Sequence, residues 1–350
     1  MTGYEMMILF VETCPALGGA QKSLLELCAA LRGQNVEARV AVPPGTLSDA
    51  LNAAKIPIHF LPPPKGPRIL QLLRAARALR RILAQTQPSI LHANNIPAGL
   101  VCAFQNFIPH PSSFILPQYV LHVRDLRFNF PLLRFAARRA LAVAAISQSV
   151  FGRLSSLGIK PVLIPNGIDL SPYAPAPRPP IPRVGMVAQW ARWKRHDLFL
   201  RMAPLLREHI PGVQCVLLPG EGGSDAKWET SMRALAQQNG VEILPFTRDM
   251  PRFYAGLSAL VHPAADEPFG RVLYEALASG VPVVARRGPS TRHLPPPCAL
   301  VDSDEPRAFA GAAATLLNSN PASWQAACLA TAARYGVSTT AAKCREIYGG

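Results

Sequence analysis

Short apolar runs alternate with amphipathic segments along nearly the whole chain. The first run, 6–11, is apolar throughout, as in a strand buried on both faces, and the segment KSLLELCAALR after it carries leucines at helical spacing. Strand and helix then recur in this order, which predicts parallel sheets with helices on both faces. The further predicted strands are 38–42, 90–92, 119–122, 141–146, 183–187, 214–218, 241–244, 259–262 and 282–285. The further predicted helices are 69–83, 97–104, 131–139, 149–157, 196–208, 228–237, 250–255 and 272–278, followed by a helical stretch over 323–348.

A proline-rich segment interrupts this alternation. Six prolines lie between Pro172 and Pro182, and because proline fixes φ and lacks an amide hydrogen, neither a helix nor a central strand can form there. At 350 residues the chain is also too long for one typical core. We therefore predict two doubly wound α/β domains joined by a semi-rigid linker, with a cleft between the carboxyl ends of their sheets.

Composition places the chain among globular proteins. Hydrophobic residues make up 49% of the chain and charged residues 16%, which is apolar enough to fill two cores. No apolar run approaches the roughly 18 residues of a membrane-spanning helix, and the first residues lack a signal-peptide pattern. The seven cysteines are scattered without C-x-x-C spacing, which favours reduced thiols over disulfides or a zinc site. We expect a cytoplasmic protein.

The formal net charge of +15 predicts an anionic partner. Nucleotide phosphates, acidic lipid headgroups and nucleic acid all fit this charge. The basic residues lack interleaved aromatics and any nucleic-acid-binding motif, so we expect no nucleic-acid partner.

One helix concentrates positive charge on a single face. In the predicted helix 69–83, Arg74, Arg77 and Arg81 recur in steps of three and four, with Arg80 adjacent, opposite a row of leucines. This face either rests peripherally on an anionic membrane, beside the apolar stretch FQNFIPHPSSFILPQYV, or is only solvated.

The segment 262–285 carries the most specific pattern. A strand ends at its first residue, a polar loop follows and a helix begins near Phe269, so that the amides of residues 269–273 lie at a helix N-terminus, where anions bind. Glu267 and Glu275 are eight positions apart and share one face of the segment. The order E-P-F-G-R-V-x-x-E-A-x-A-x-G-x-P-V-V-A closely resembles the donor-site signature of retaining GT-B glycosyltransferases of the family-4 type, the glycosyl transferases group 1.

This resemblance implies a fold and a role for each residue of the segment. The GT-B fold consists of two Rossmann-like domains that face each other across a cleft. The family pattern implies that Glu267 holds sugar hydroxyls, that the amides of residues 269–273 cover the sugar and the diphosphate, and that Glu275 bonds the ribose. The implied donor-binding residues of this segment are Pro268, Phe269, Gly270, Arg271, Val272, Leu273 and Glu275.

A basic loop follows the predicted strand 183–187 and carries Arg192, Lys194 and Arg195. Cations at this place can neutralise a leaving diphosphate. The loop is similar to the family's G-R-x-x-x-x-K-G loop, with Lys194 at the lysine position and Gln189 at the position of the arginine. A neutral amide supplies no charge, so that either Arg192 or Arg195 substitutes for the missing arginine or turnover is weak.

Three further places resemble the family. Gly18 and Gly19 resemble its glycine-rich turn, which lets backbone approach the donor phosphate or the acceptor, although a plain helix start fits equally well. His122 ends a strand where the family carries a histidine close to the reacting sugar, which implies a positioning role, and a structural histidine is the alternative. Near Phe246 and Thr247 the family places the base.

Other polar residues that follow strands are candidates for the acceptor side, each with a turn role as the alternative. They are Asn94, Asn95, Arg124, Asp125, Ser147 and Gln148. Asp302, Ser303 and Asp304 mimic a D-x-D metal signature, but they precede a helical pattern, which favours helix capping. We expect no required metal and no cofactor besides the nucleotide-sugar donor.

The sequence thus predicts a retaining hexosyltransferase of polysaccharide or glycolipid biosynthesis. It would move a sugar from a UDP- or GDP-linked donor to a hydroxyl of a glycan, a lipid-linked or a small-molecule acceptor. We expect residues 1–170 to form the acceptor-binding domain, 171–182 the linker, 183–335 the donor domain, and 336–350 a helix that packs back on the first domain.

Two alternatives to this function stay open. They are a nucleotide-sugar epimerase of the same fold and a nucleotide-sugar-binding protein whose catalysis is impaired by Gln189. A nicotinamide oxidoreductase is disfavoured, because no G-x-G-x-x-G follows a predicted strand.

Overall fold

A computed structural model describes residues 5–108, 116–220, 225–296, 298–320 and 324–349. Contacts within the chain divide it into two compact units. The first contains the described residues up to Gly167 together with those from Val337 onwards, and the second is Ile168–Gly336. The proline-rich segment belongs to the second unit and forms neither helix nor strand.

The first unit is built on a seven-stranded parallel sheet in the order β3-β2-β1-β4-β5-β6-β7. Its strands are β1 (Met6–Val11), β2 (Val36–Val42), β3 (Ile58–Phe60), β4 (Ile90–Ala93), β5 (Tyr119–Val123), β6 (Ala142–Ala145) and β7 (Pro161–Leu163). The helices between them are α1 (Gly19–Arg32), α2 (Thr46–Ala53), α3 (Arg68–Thr86), α4 (Ile96–Phe104), α5 (Phe130–Ala137) and α6 (Gln148–Ser155), and a 3-10 turn covers Gln105–Phe107.

The second unit contains a six-stranded parallel sheet in the order β10-β9-β8-β11-β12-β13. Its strands are β8 (Arg183–Ala188), β9 (Gln214–Pro219), β10 (Glu242–Ile243), β11 (Ala259–His262), β12 (Val283–Arg286) and β13 (Ala299–Val301). Its helices are α7 (His196–His209), α8 (Ala226–Gln238), α9 (Met250–Ala255), α10 (Arg271–Ala278), α11 (Pro306–Asn318) and α12 (Gln325–Ala333), and a 3-10 turn covers Arg192–Lys194. The predicted pair of Rossmann-like parallel-sheet domains is confirmed.

The last helix, α13 (Val337–Gly349), packs against α1 of the first unit. Cys344 and Tyr348 belong to the hydrophobic core that includes Ile8 and Phe10 of β1. The Tyr348 hydroxyl lies 2.5 Å from Nδ1 of the buried His92 at the end of β4. The end of the chain therefore contributes both apolar area and one buried polar contact to the first sheet.

The central strands form because their residues are apolar on both faces, as the alternating pattern predicted. The last four residues of β1 are completely buried. Four elements had not been predicted. The three-residue strands β3, β7 and β13 are too short to show a period, and α2 has only eight residues with few apolar positions.

The predicted helical stretch over 323–348 is wrong in one respect. It consists of two helices, α12 and α13, which the residues 334–336 separate, and its first residue lies outside the described part of the chain. Among the helices of the described residues, none is both long and apolar enough to cross a membrane.

We predict that Tyr348 holds α13 on the first unit. Tyr348→Ala should lower the free energy of unfolding by about 3 to 5 kcal/mol, because a large buried ring is removed. Tyr348→Phe should cost about 1 to 3 kcal/mol, because Nδ1 of His92 loses its partner. Urea denaturation measures both, with Glu346→Gln on the exposed face of the same helix as the control. Equal stability of Tyr348→Ala and the wild type would contradict this account.

Candidate functional site

Two loops of the second unit meet at the carboxyl ends of the neighbouring strands β8 and β11. The loop after β8 leads into the 3-10 turn Arg192–Lys194, and the loop after β11 leads into α10. Parallel strands present their carboxyl ends at the same edge of a sheet, so residues far apart in sequence come together there. Lys194, Glu267 and the start of α10 lie at this edge.

Lys194 and Glu267 form a close ion pair at this edge. The Lys194 Nζ lies 2.5 Å from Oε2 of Glu267, and the two side chains are only 14% and 10% exposed. His262, the last residue of β11, places its Nε2 3.3 Å from the same carboxylate oxygen. Lys194, which the sequence analysis placed at the diphosphate, and Glu267, which it placed at the sugar hydroxyls, are thus in direct contact.

The pKa of Glu267 shows which charge state the pair has. Burial alone raises the pKa of this carboxyl, but the ammonium group of Lys194 and the nearby ring of His262 outweigh burial and lower it to about 2. Glu267 is therefore a carboxylate at neutral pH. In that state it accepts hydrogen bonds and donates none, which suits contact with sugar hydroxyls.

The backbone turn before α10 requires glycine. Gly270 has φ +79°, and a Cβ there would lie 2.7 Å from Cδ1 of Leu273 and 3.1 Å from Cγ of Glu267. A larger residue would therefore push directly on the ion-paired glutamate. This is the physical reason for the glycine in the E-P-F-G pattern.

The start of α10 offers fewer amides than the sequence suggested. The first-turn amides of a helix have no acceptor within the helix, but the amide of Leu273 donates to the carbonyl oxygen of Gly270 at 3.0 Å. The ring of Phe269 is buried and stacks on Tyr274, with ring centres 4.8 Å apart. Pro268 and Val272 are half-buried on either side of this turn. The expected amide cradle over 269–273 is thus shorter than predicted at its Leu273 end.

Glu275 already uses both carboxylate oxygens within the protein. Its Oε2 accepts a hydrogen bond from the Tyr254 hydroxyl at 3.0 Å, and its Oε1 lies 3.2 Å from the Arg271 guanidinium. All three side chains are buried. A ribose hydroxyl that binds Glu275 must therefore share a carboxylate oxygen with Tyr254 or Arg271, or displace one of them. Tyr254 was not identified from the sequence, because its link to Glu275 arises only from tertiary packing.

The other two cations of the basic loop are paired with acids. Arg192, whose side chain is 65% exposed, lies 2.7 Å from Asp225. Arg195 contacts Asp197 at 3.2 Å and Asp304 at 3.1 Å. Lys194 is the member of the loop that the fold turns towards Glu267.

Gln189 directly follows β8 and is half-buried. Its backbone nitrogen would lie 2.9 Å from a Cβ added to Gly220, the residue after β9. The position of the family's arginine is therefore filled by a neutral residue whose backbone lies beside the carboxyl end of β9.

Of the three residues expected to cap a helix, Asp302 and Asp304 do not do so, whereas the Ser303 hydroxyl accepts the Glu305 amide at 3.0 Å directly before α11. The N-cap of α11 is Glu305, which makes no side-chain capping bond. Asp302 instead binds Arg287 at 2.7 Å and Asp304 binds Arg286 at 2.6 Å. Within the described ranges, no group of three or more His, Cys, Asp or Glu side chains could hold a metal ion.

Phe246 and Thr247 lie in the loop after the edge strand β10. The Phe246 ring is exposed, with the Arg248 guanidinium 6.0 Å from its centre, and Thr247 accepts the Asp249 amide at 3.1 Å. An exposed aromatic ring can stack on a base.

Two of the acceptor-side candidates, Asn94 and Asn95, belong to a hydrogen-bonded network around Glu12. This fully buried carboxylate accepts from Asn94 Nδ2 at 2.6 Å, from Gln21 Nε2 at 3.2 Å, from Asn95, and from the backbone amides of the next two residues. Asn95 also caps α4. The sequence pattern did not single out Glu12. The available signal was an acid directly after an entirely apolar strand.

Arg124 connects this network to the histidines. Its Nε donates to Oδ1 of Asn94 at 2.8 Å, and its two terminal nitrogens contact Asn166 and Nδ1 of His122. Arg124 is half-buried at the end of β5.

His122 is completely buried, which agrees with the structural alternative, and its place close to the reacting sugar stays a prediction. Its Nε2 lies 3.1 Å from the carbonyl oxygen of Ile164, which can only accept. Nδ1 must then accept from Nε2 of His92 at 3.2 Å, and His92 accepts from Tyr348. Burial, with the charge of Arg124, holds the pKa of His122 well below its usual value, so the ring is neutral. His122 positions Arg124 rather than touching the surface.

The remaining candidates of the first unit have ordinary local roles. Gly18 is the N-cap of α1 in an extended conformation that any residue adopts, and Gly19 is exposed at its first position. Asp125 accepts the Arg127 amide at 3.0 Å. Ser147 caps α6, and Gln148 is exposed at the start of that helix.

Two family models match the chain, one for each unit. The model of Glycosyltransferase Family 4 matches residues 17–172, and the model of Glycosyl transferases group 1 matches residues 181–319. Together these ranges span most of the chain.

Curated relatives agree with the models. A GDP-mannose-dependent alpha-mannosyltransferase of Mycobacterium tuberculosis is 25% identical over 325 residues, which cover 84% of this chain and 82% of the relative. A D-inositol 3-phosphate glycosyltransferase of Corynebacterium urealyticum is 29% identical over 185 residues, which cover 47% of this chain and 42% of that protein.

Solved structures show the same fold. The structure of Anabaena HepE in complex with UDP and glucose matches with a TM-score of 0.83 and 21% identity over 99% of this chain and 100% of that one. A TarM mutant of S. aureus matches with a TM-score of 0.80 and 12% identity over 99% of this chain and 100% of its own. Both matched family models and the shared GT-B fold lead to one conclusion: the chain is a glycosyltransferase and belongs to the family-4, group 1 glycosyltransferases.

Proposed function

We propose that the chain is a retaining hexosyltransferase that uses a UDP- or GDP-linked sugar and requires no metal ion. The observation that carries this proposal is the ion pair of Lys194 and Glu267 beside the first turn of α10. One cation, one carboxylate and the N-terminus of α10 thus lie together at the carboxyl-terminal edge of the second sheet. A diphosphate joined to a hydroxyl-rich sugar has the complementary groups.

Lys194 and the first turn of α10 stabilise the leaving group in this proposal. The bond from the anomeric carbon to the diphosphate oxygen breaks, and negative charge grows on that oxygen. The ammonium group has three donors, so it can contact a phosphate oxygen while it keeps Glu267. The amides that precede Leu273 add dipoles fixed in place before the reaction.

Glu267 holds the sugar, and the acceptor supplies the new bond. As a carboxylate it accepts hydrogen bonds from the sugar hydroxyls and orients the ring. An acceptor hydroxyl then attacks the anomeric carbon from the face that the diphosphate leaves. Its proton passes to the departing phosphate oxygen, so that atoms and charge balance without a protein nucleophile.

The base is either uracil or guanine. HepE was solved with UDP and with UDP-glucose, and the Mycobacterium tuberculosis relative is described as dependent on GDP-mannose. A thermal-shift screen of UDP, GDP and their sugars decides between them. Stabilisation by one diphosphate series supports the proposal, and no shift with any of them contradicts it.

Transfer and stereochemistry separate the proposal from its alternatives. With the donor that binds, NMR of the product should show the anomeric configuration of the donor, and EDTA should not reduce the rate. Isomerised donor without transfer would point to an epimerase. Binding without transfer to any hydroxyl acceptor would favour the binding protein with Gln189 in place of arginine.

We predict that Lys194→Gln lowers the transfer rate by about 10²- to 10³-fold, because one electrostatic contact to the leaving group is lost. The matched control is Arg192→Gln, which removes the same charge two residues earlier from an exposed side chain. Its rate should stay within a few-fold of the wild type. Equal losses in both variants would show that only the general charge of the loop matters.

A second prediction concerns pH. The pKa of Glu267 falls from 4.5 to about 2 on folding, so its carboxylate stabilises the fold fully above its ordinary pKa. This contribution is lost as the pH falls through about 2. The difference in free energy of unfolding between the wild type and Glu267→Gln should therefore be constant from neutral pH to about pH 5 and shrink below pH 4.5. A difference that instead shrinks between pH 7 and 5 would contradict the assigned pKa.

A further inference from the structure

The first unit contains a long stretch with almost no acids. From residue 50 to residue 168 the chain has fourteen lysines and arginines but a single acidic residue, Asp125. These residues form the part of the unit that includes α3, α4 and α5, and α4 packs against both of the other helices. Positive charge here is not balanced by neighbouring carboxylates along the chain.

The outer face of α3 is cationic. Arg74, Arg77 and Arg81 are exposed, and the apolar positions Leu79 and Leu83 face the core. This agrees with the amphipathic pattern in the sequence.

Arg80, the fourth arginine of the pattern, does not belong to this face. Its guanidinium donates to the carbonyl oxygens of Gln105 at 2.6 Å and Ile108 at 3.0 Å. It therefore ties the 3-10 turn to α3.

That turn presents an aromatic side chain to solvent. Phe107 is 58% exposed, and its ring stacks on Phe135 of α5 with centres 6.0 Å apart and 19° between the planes. The guanidinium of Arg139 lies 5.2 Å from the centre of Phe107 and 4.3 Å from that of Phe135. Phe107 thus points outward beside the Arg139 guanidinium. Its exposed ring leaves apolar area in contact with water, which is unfavourable for the first unit by itself.

We propose that this surface binds an anionic lipid bilayer. We call it the basic-aromatic face and define it as Arg74, Arg77, Arg81, Phe107 and Arg139. Arginines attract acidic headgroups, and the exposed ring of Phe107 beside Arg139 can enter the boundary between headgroups and acyl chains. Leu70 of α3 and Leu132 of α5 are also exposed and extend the apolar character. A soluble polyanion would explain the arginines but not these apolar side chains.

Residues 109–115 of FQNFIPHPSSFILPQYV lie outside the described residues. The proposal does not depend on the donor chemistry, since all its residues belong to the first unit.

Vesicle flotation tests the electrostatic part. The full chain should float with phosphatidylcholine vesicles that contain phosphatidylglycerol at low salt, and not with phosphatidylcholine alone. The triple variant Arg74→Gln, Arg77→Gln, Arg81→Gln should partition about a hundredfold more weakly. The matched control removes three exposed arginines of the second unit, Arg201, Arg252 and Arg307, and should bind as the wild type does. Unchanged circular dichroism spectra and melting temperatures of the protein without nucleotide verify that both triple variants are folded.

Insertion of Phe107 is tested separately. The Phe107→Trp variant should fluoresce more than the wild type, which has four tryptophans of its own. Lipids brominated on their acyl chains should quench this additional fluorescence. Three results would overturn the proposal: no flotation of the wild type with anionic vesicles, equal losses in the two triple variants, or no quenching of the added tryptophan. Tight binding to heparin without vesicle binding would likewise overturn it in favour of a soluble polyanion.

Discussion

A half-buried ammonium group in contact with a buried carboxylate governs the site of the second unit. Removing either charge alone from water would cost free energy, and the attraction between the two charges offsets that cost. The pair is neutral as a whole, yet the ammonium of Lys194 retains hydrogen atoms that a stronger anion can share. A diphosphate carries more charge than one carboxylate, so in the proposed reaction it gains a contact with Lys194 while the ammonium group still pairs with Glu267. Glu267 therefore keeps its charge and, as proposed, accepts hydrogen bonds from the sugar.

The surrounding structure keeps Lys194 and Glu267 in contact, and it pairs the other two cations of the loop with acids. The left-handed Gly270 lets the chain turn into α10 without displacing Glu267. Arg192 and Arg195 are occupied by acids, and Gln189 is neutral. In the proposed reaction, the positive charge offered to the leaving group thus comes from Lys194 and the start of α10. In the first unit, the buried Glu12 carboxylate likewise accepts hydrogen bonds from surrounding donors. The neutral histidines His92 and His122 are in contact, and His122 holds the Arg124 guanidinium.

Periodicity and one dense motif were enough to predict much of this. The strands of both sheets are apolar on two faces, and the E-P-F-G-R-V pattern located Glu267 and the start of α10. The partnerships were harder to foresee because they join distant segments: Lys194 with Glu267 across 73 positions, and Tyr254 with Glu275 across 21. The same holds for His122, whose place at a strand end suggested access to ligand, whereas its neighbours bury it. Asp302 and Asp304 were misassigned because their arginine partners lie on another strand and loop.

The most direct test of the account is a crystal structure of the protein with the diphosphate that binds it. We predict a phosphate oxygen within about 3 Å of the Lys194 ammonium and of an amide in the first turn of α10. The nucleotide bound elsewhere, with Lys194 still contacting only Glu267, would contradict the central claim.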